Sequence, residues 1–228
     1  MSGKKSTMVV IVGTIHLGGK QFHSYTKALR QIITEVSPDV ICGEVSPEQL
    51  SGKKTLNSKP EYQEVIMPWS RQNGIEVIPL EPGDSHPIRR NFAEKEKERW
   101  NRVKSGEFGS HLADYHDKLW DRISRNMEET LSNPCGFENL QRREFDLYFS
   151  DLSYFYDEFF LPEFAALQKQ WDKYFLSRIY RAIKDNANSK ILVTIGLRHK
   201  NWLWQRLESR DNIVLYNLQS FSDRKRKK

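Results

Sequence analysis

The sequence predicts an α/β fold: a mostly parallel central sheet flanked by helices, with a large helical insertion between the third and fourth strands. Two phrases carry most of that prediction. VVIVGTIH at 9–16 and ILVTIGLRH at 191–199 are β-branched apolar runs, and each ends in Gly-x-x-His. Continuous apolar runs of this length read as strands covered on both faces, which is the habit of parallel sheets. Further short runs of the same kind alternate with helical stretches, and that alternation calls for right-handed β-α-β crossovers.

Each element has its own signal. Strand one spans 8–13. Tyr25, Leu29, Ile32, Ile33 and Val36 recur at helical spacing and predict a helix over 22–36, which Ser37-Pro38-Asp39 breaks. Strand two covers 39–43 and delivers Glu44. A loop rich in Ser, Gly and Lys occupies 46–60. A helix over 61–73 ends at Asn73-Gly74, and IEVIPL at 75–80 is strand three, closed by the turn Glu81-Pro82-Gly83-Asp84. From 86 to 187 the pattern turns helical: a charged stretch at 89–104, an amphipathic one at 111–131, a break at Asn133–Gly136, then 140–184, interrupted at Leu161-Pro162. Strand four at 190–195, a helix at 199–209 and a strand at 212–218 close the fold. The organisation is therefore a core of 1–85 and 188–222, a helical insertion of 86–187, and a basic disordered tail of 223–228.

Charge narrows the partners. Five of the 36 basic residues form the terminal run Arg224–Lys228, and the rest of the chain nearly balances its 30 acidic residues. Such a run reads as a solvated tail, so nucleic acid is not expected as a partner except weakly through it. No apolar stretch reaches 18 residues, which excludes a spanning helix. The apolar run at the start flows into Gly13-Thr14-Ile15-His16 without a small-residue cleavage site. Two cysteines, Cys42 and Cys135, give neither a disulfide framework nor metal-ligand spacing. Cytoplasmic location is the expectation.

Ligands in open α/β sheets bind past the carboxyl ends of the strands. His16, Glu44, Glu81 and His199 all stand at such exits. Neutral His accepts protons near pH 7, and a neighbouring carboxylate fixes its tautomer. The same two histidines and Glu44 could instead hold a divalent metal such as Mn, Zn or Co. Arg198 could bind an anionic substrate group. The loop Gly18-Gly19-Lys20 ahead of His23 could receive an anion at a helix start. The P-loop, the dinucleotide fingerprint and the Gly-x-Ser-x-Gly elbow are missing, which argues against an NTPase, a nucleotide-dependent oxidoreductase and a serine esterase. Between 145 and 180 the aromatics are too many for one buried face, so some should wall a pocket or a homo-oligomer contact.

The motifs resemble those of the erythromycin esterase, Tiki/TraB and ChaN-like superfamily. The matching residues are Gly13-Thr14-Ile15-His16, Pro38-Asp39-Val40 with Glu44, Gly74-Ile75-Glu76-Val77 with Glu81, and Gly196-Leu197-Arg198-His199. The family's Arg-Asp pair on the last insertion helix is matched at Asp172 but reads Trp171 in place of Arg. The resemblance covers the sheet, about half the chain. It implies a hydrolase of ester, amide or related bonds, with a small-molecule or peptide substrate. His16, Glu44 and His199 would be catalytic, or metal ligands in a metal-dependent form. Glu81 and Asp172 stand behind them by the same resemblance, and together with Arg198 and His23, offered by their own chemistry, they are the candidate substrate contacts. The ChaN-like branch implies haem or ligand binding instead, and a non-catalytic regulatory protein is the third reading.

Overall fold

The structure is a computed structural model that describes residues 6–16, 22–105, 110–133, 136–160, 162–216 and 218. The loop Gly18-Gly19-Lys20 and the basic tail lie outside them. Five strands, β1 (Thr7–Thr14), β2 (Val40–Gly43), β3 (Glu76–Pro79), β4 (Lys190–Gly196) and β5 (Ile213–Tyr216), form one sheet in the order β3-β2-β4-β1-β5. Every pairing is parallel. The α/β class is therefore as the sequence predicts. The order puts β4 between β1 and β2, with Thr14 opposite Gly196 and Gly43 opposite Thr194.

Strand side chains alternate between two cores, as the two-residue period requires. Val10, Val12, Ile41 and Leu192 pack under α1 (Phe22–Val36), whose Tyr25, Leu29 and Ile33 are buried, and under Tyr62, Val65 and Ile66. Val9, Ile11, Ile191, Val193 and Ile195 face α8 (Pro162–Asp185) through Phe175, Ile179 and Ile183, and α9 (Leu197–Glu208) through Leu203 and Leu207. Both faces are thus covered, which is why no strand alternates apolar with polar.

Between β2 and β3 the chain makes a short α2 (Pro47–Leu50), then a π-helical turn at Tyr62–Ile66 leading into α3 (Met67–Asn73). A capping box starts α2: Ser46 Oγ accepts the Gln49 N–H at 3.2 Å and the Ser46 N–H donates to Gln49 Oε1 at 2.9 Å. The expected loop therefore begins with one ordered turn that fixes how the chain leaves Glu44. Between β3 and β4 lie α4 (Pro87–Lys104), α5 (Ser110–Ser132), α6 (Gly136–Leu140), α7 (Arg143–Phe160) and α8. Among the described residues no helix is long and apolar enough to cross a membrane.

The exit of β1 is held by a side chain. Among the described residues β5 pairs with β1 as far as Val10, short of Gly13. Gln141 bonds the backbone there: its Oε1 accepts the Gly13 N–H at 2.7 Å and its Nε2 donates to the Gly13 carbonyl at 2.9 Å. Gly13 also lets α9 approach, because a Cβ there would stand 2.3 Å from Leu197 Cδ2 and 3.2 Å from Lys200 Cδ. Gly13→Ala should cost about 1–3 kcal/mol through overpacking, read as a lower urea midpoint at constant slope. An unchanged midpoint would mean that Leu197 has room to yield.

Candidate active site

Along the rim, the strand order arranges the exit residues as Glu81, Glu44, His199 and His16. Gly196 is the point of convergence. A Cβ placed on it would lie 3.2 Å from Glu44 Oε2, 3.6 Å from His16 Nε2 and 3.6 Å from His199 Cδ2. The two imidazoles and the carboxylate therefore surround one small volume, and the missing side chain at Gly196 keeps it open. It belongs to a pocket of about 190 Å³ lined by Thr14, Ile15, His16, Glu44, Met127, Phe149 and residues 196–199. A wider depression of about 580 Å³, around Thr7, Tyr180 and Arg210, lies at the opposite end of the strands and holds none of these groups.

His16 is held from both sides. Its Nδ1 donates to Glu61 Oε1, and its Nε2 lies 3.5 Å from Glu44 Oε2. Its backbone is left-handed, with φ +48°, a conformation that ordinary residues adopt only when the surroundings impose it. Glu61 is fully buried and precedes the π-helical turn. Burial alone would lower the His16 pKa, but the Glu44 and Glu61 carboxylates outweigh it and raise the value from 6.5 to about 9. With its pKa raised to about 9, His16 is held as the imidazolium near neutral pH, which suits a proton donor.

That charge makes stability depend on pH. The folded-state pKa of His16 is above the unfolded one, so its contribution is complete below pH 6.5 and is lost as pH rises through about 9. A shift of that size corresponds to about 3 kcal/mol. The urea midpoint should fall between pH 6 and pH 10, and His16→Gln should flatten the fall. Equal slopes in the two proteins would contradict the assignment.

Glu44 is the hub between the two strand exits. Its Oε2 accepts the Gly196 N–H at the start of α9, where helix dipoles favour negative charge. Lys59 Nζ lies 3.7 Å from Glu44 Oε1 and donates to the Glu44 carbonyl. Burial pushes the Glu44 carboxyl up, but Lys59 first and His16 second outweigh it and hold it well below the usual range. The Tyr62 hydroxyl accepts the Glu44 N–H at 2.6 Å and reaches Thr194 at 2.9 Å, tying β2 to β4 beneath the site.

His199 is organised differently. Its Nδ1 meets Asp172 Oδ1 at 2.5 Å, and the Tyr154 hydroxyl donates to Asp172 Oδ2. Burial and the Asp172 carboxylate push the Tyr154 phenol up, so it remains a donor. The ring stands edge-on to Phe175, centroids 5.3 Å apart. With the proton on Nδ1, Nε2 is the acceptor, on the ring edge that carries Cδ2 toward Gly196.

Not every candidate residue meets the pocket. Arg198 lines it, its guanidinium 5.7 Å from the Tyr154 ring centre. Asp172 is wholly buried behind His199, so it positions a base instead of touching substrate. Glu81 is committed to ion pairs with Lys59 at 2.5 Å and Arg89 at 2.9 Å. His23 is exposed on α1 and is not among the pocket's lining residues. Of the aromatics, Phe149 reaches the pocket wall, whereas Trp171 and Phe175 belong to the core under α8. The side chains of Phe155, Phe159, His111 and His116 lie outside the described ones. Sequence reasoning missed Lys59, Glu61 and Tyr154. Only the Lys59-Pro60-Glu61-Tyr62 phrase, two opposite charges against a helix start, marks the first two.

Among the described residues no group of three His, Cys, Asp or Glu side chains is placed to hold an ion. At about 190 Å³ the pocket is smaller than the cavities of about 300 Å³ or more that usually take drug-sized ligands. Comparison of the chain with family models, curated proteins and solved structures finds no match in any of them. The functional reading therefore stands on geometry.

Proposed function

We propose that the pocket is the active site of a metal-free hydrolase that cleaves an ester, amide or related bond. The observation that carries this reading is the pairing of two unlike imidazoles: His199, oriented by Asp172, and His16, held as an imidazolium by Glu44 and Glu61. Two imidazoles with different carboxylate partners, one of them held charged, can divide into base and acid.

In this scheme His199 Nε2 removes a proton from water, and the water oxygen bonds to the acyl carbon. The bond from that carbon to the leaving group breaks, and His16 Nε2–H supplies the leaving group's proton. Asp172 keeps the His199 proton on Nδ1 and stabilises the imidazolium that forms. Glu44 and Glu61 keep His16 charged and aligned. The proton gained at His199 passes to solvent and His16 is reloaded from it.

The test is hydrolysis of a panel of activated esters and anilides by the full chain. Activity should fall as pH rises through about 9, where His16 loses its proton. His199→Ala and His16→Ala should each lose it while melting cooperatively. A His199→Ala variant as active as the parent would end the proposal.

A further inference from the structure

We infer that the substrate is a small acyl compound: a carbonyl seated at Gly196 and carrying a short, unbranched apolar chain of about two to six carbons. This rests on the hydrolase reading for its chemistry, but its geometry is independent of turnover. Of the polar atoms on pocket-lining residues, the buried Thr14 Oγ1 has no hydrogen-bond partner among the described residues, and His16 Nε2 has only the 3.5 Å approach of Glu44 Oε2. Thr14 is 1% exposed. A buried hydroxyl without a partner is costly, so Thr14 is suited to an acceptor brought by a ligand. A carbonyl or carboxylate oxygen is an acceptor for the Thr14 hydroxyl, which leaves the single His16 Nε2–H for the leaving group.

Above the floor the chemistry changes. The walls are Ile15 and Leu197 from the strand exits, Met127 from α5 and Phe149 from α7. All four are apolar, and Leu197 packs with Met127, with Ile15 and Phe149 against them. They offer no partner to a sugar, a peptide backbone or a second charge. The size then sets the length. At about 30 Å³ for each water-sized group, the 190 Å³ of the pocket takes roughly six. That volume suits a short acyl chain and not the body of a macrocycle or a peptide. Met127 and Phe149 are the lining residues that come from α5 and α7, and the inference assigns the length limit to them.

The experiment uses straight-chain carboxylates from acetate to decanoate, the products expected of such substrates, bound to the full chain by calorimetry. The matching p-nitrophenyl esters are assayed in parallel. Affinity should peak between butyrate and hexanoate and fall at least tenfold by decanoate. Phe149→Ala should move the peak by two or more carbons, and Met127→Ala serves if that variant misfolds. Thr14→Val, which keeps the shape and removes the hydroxyl, should weaken every length by about five- to tenfold. Affinity that climbs steadily to decanoate, a peak unmoved in both variants, or no carboxylate binding would overturn the inference. A binding peak without turnover of any ester upholds the small-acyl site and overturns hydrolysis. Turnover indifferent to chain length does the reverse.

Discussion

Asp172→Asn is expected to lower kcat by roughly 10²–10⁴-fold, the range of a positioned general base, with little change in KM. Asp172 is fully buried and accepts two hydrogen bonds, one from His199 Nδ1 and one from Tyr154. An Asn side chain has one acceptor oxygen. If Tyr154 keeps it, the amide NH₂ faces His199 and forces its proton onto Nε2, the nitrogen that must receive one. The fold should survive, because the shape is unchanged. Tyr154→Phe should cost only about tenfold, since Asp172 then keeps His199 and loses one donor. A kcat within threefold of the parent in Asp172→Asn would show that His199 does not act through Nε2.

The largest effect on stability is expected at Lys59. Lys59 is 8% exposed, and its ammonium lies between Glu44 and Glu81. Lys59→Met fills similar space but leaves two buried carboxylates, and breaking a buried pair in this way costs about 3–5 kcal/mol. The pH response should also reverse. In the parent, Glu44 titrates well below its unfolded value, so its contribution is present above the unfolded pKa and is lost as pH falls through the folded one. Without Lys59 the carboxyl titrates higher, so mild acid should recover part of the loss. Urea midpoints at pH 7 and pH 5 measure both effects; a loss below 1 kcal/mol at pH 7 would mean that Arg89 and His16 suffice.

The sheet was legible because its signal is local. Runs such as 9–12 and 191–195 have no reading except strands covered on both faces, and α1 follows from five apolar residues at one spacing. Strand order was not legible, since any parallel order satisfies the same runs; only the register of β4 against both β1 and β2 settles it. At the site, His16, Glu44 and His199 announced themselves by their place after a strand. Their protonation states did not, because the deciding groups come from elsewhere. Glu61 stands in what reads as the first turn of an ordinary helix, and Asp172 in mid-helix, flagged only by resemblance. A carboxylate becomes a partner of a distant imidazole through packing, and packing has no sequence period.

The place of β4 in the sheet bears on how the protein is made. The strand that joins β1 to β2 is synthesised some 150 residues after β2, on the order of ten seconds at ribosomal speed. Until then the edges of β1 and β2 that flank β4 in the finished sheet lack the strand between them. A chain cut short before residue 190 is thus an aggregation hazard and a substrate for chaperones. His199 follows directly behind that joining strand, so any copy that can assemble the pocket has already passed its own proofreading for length.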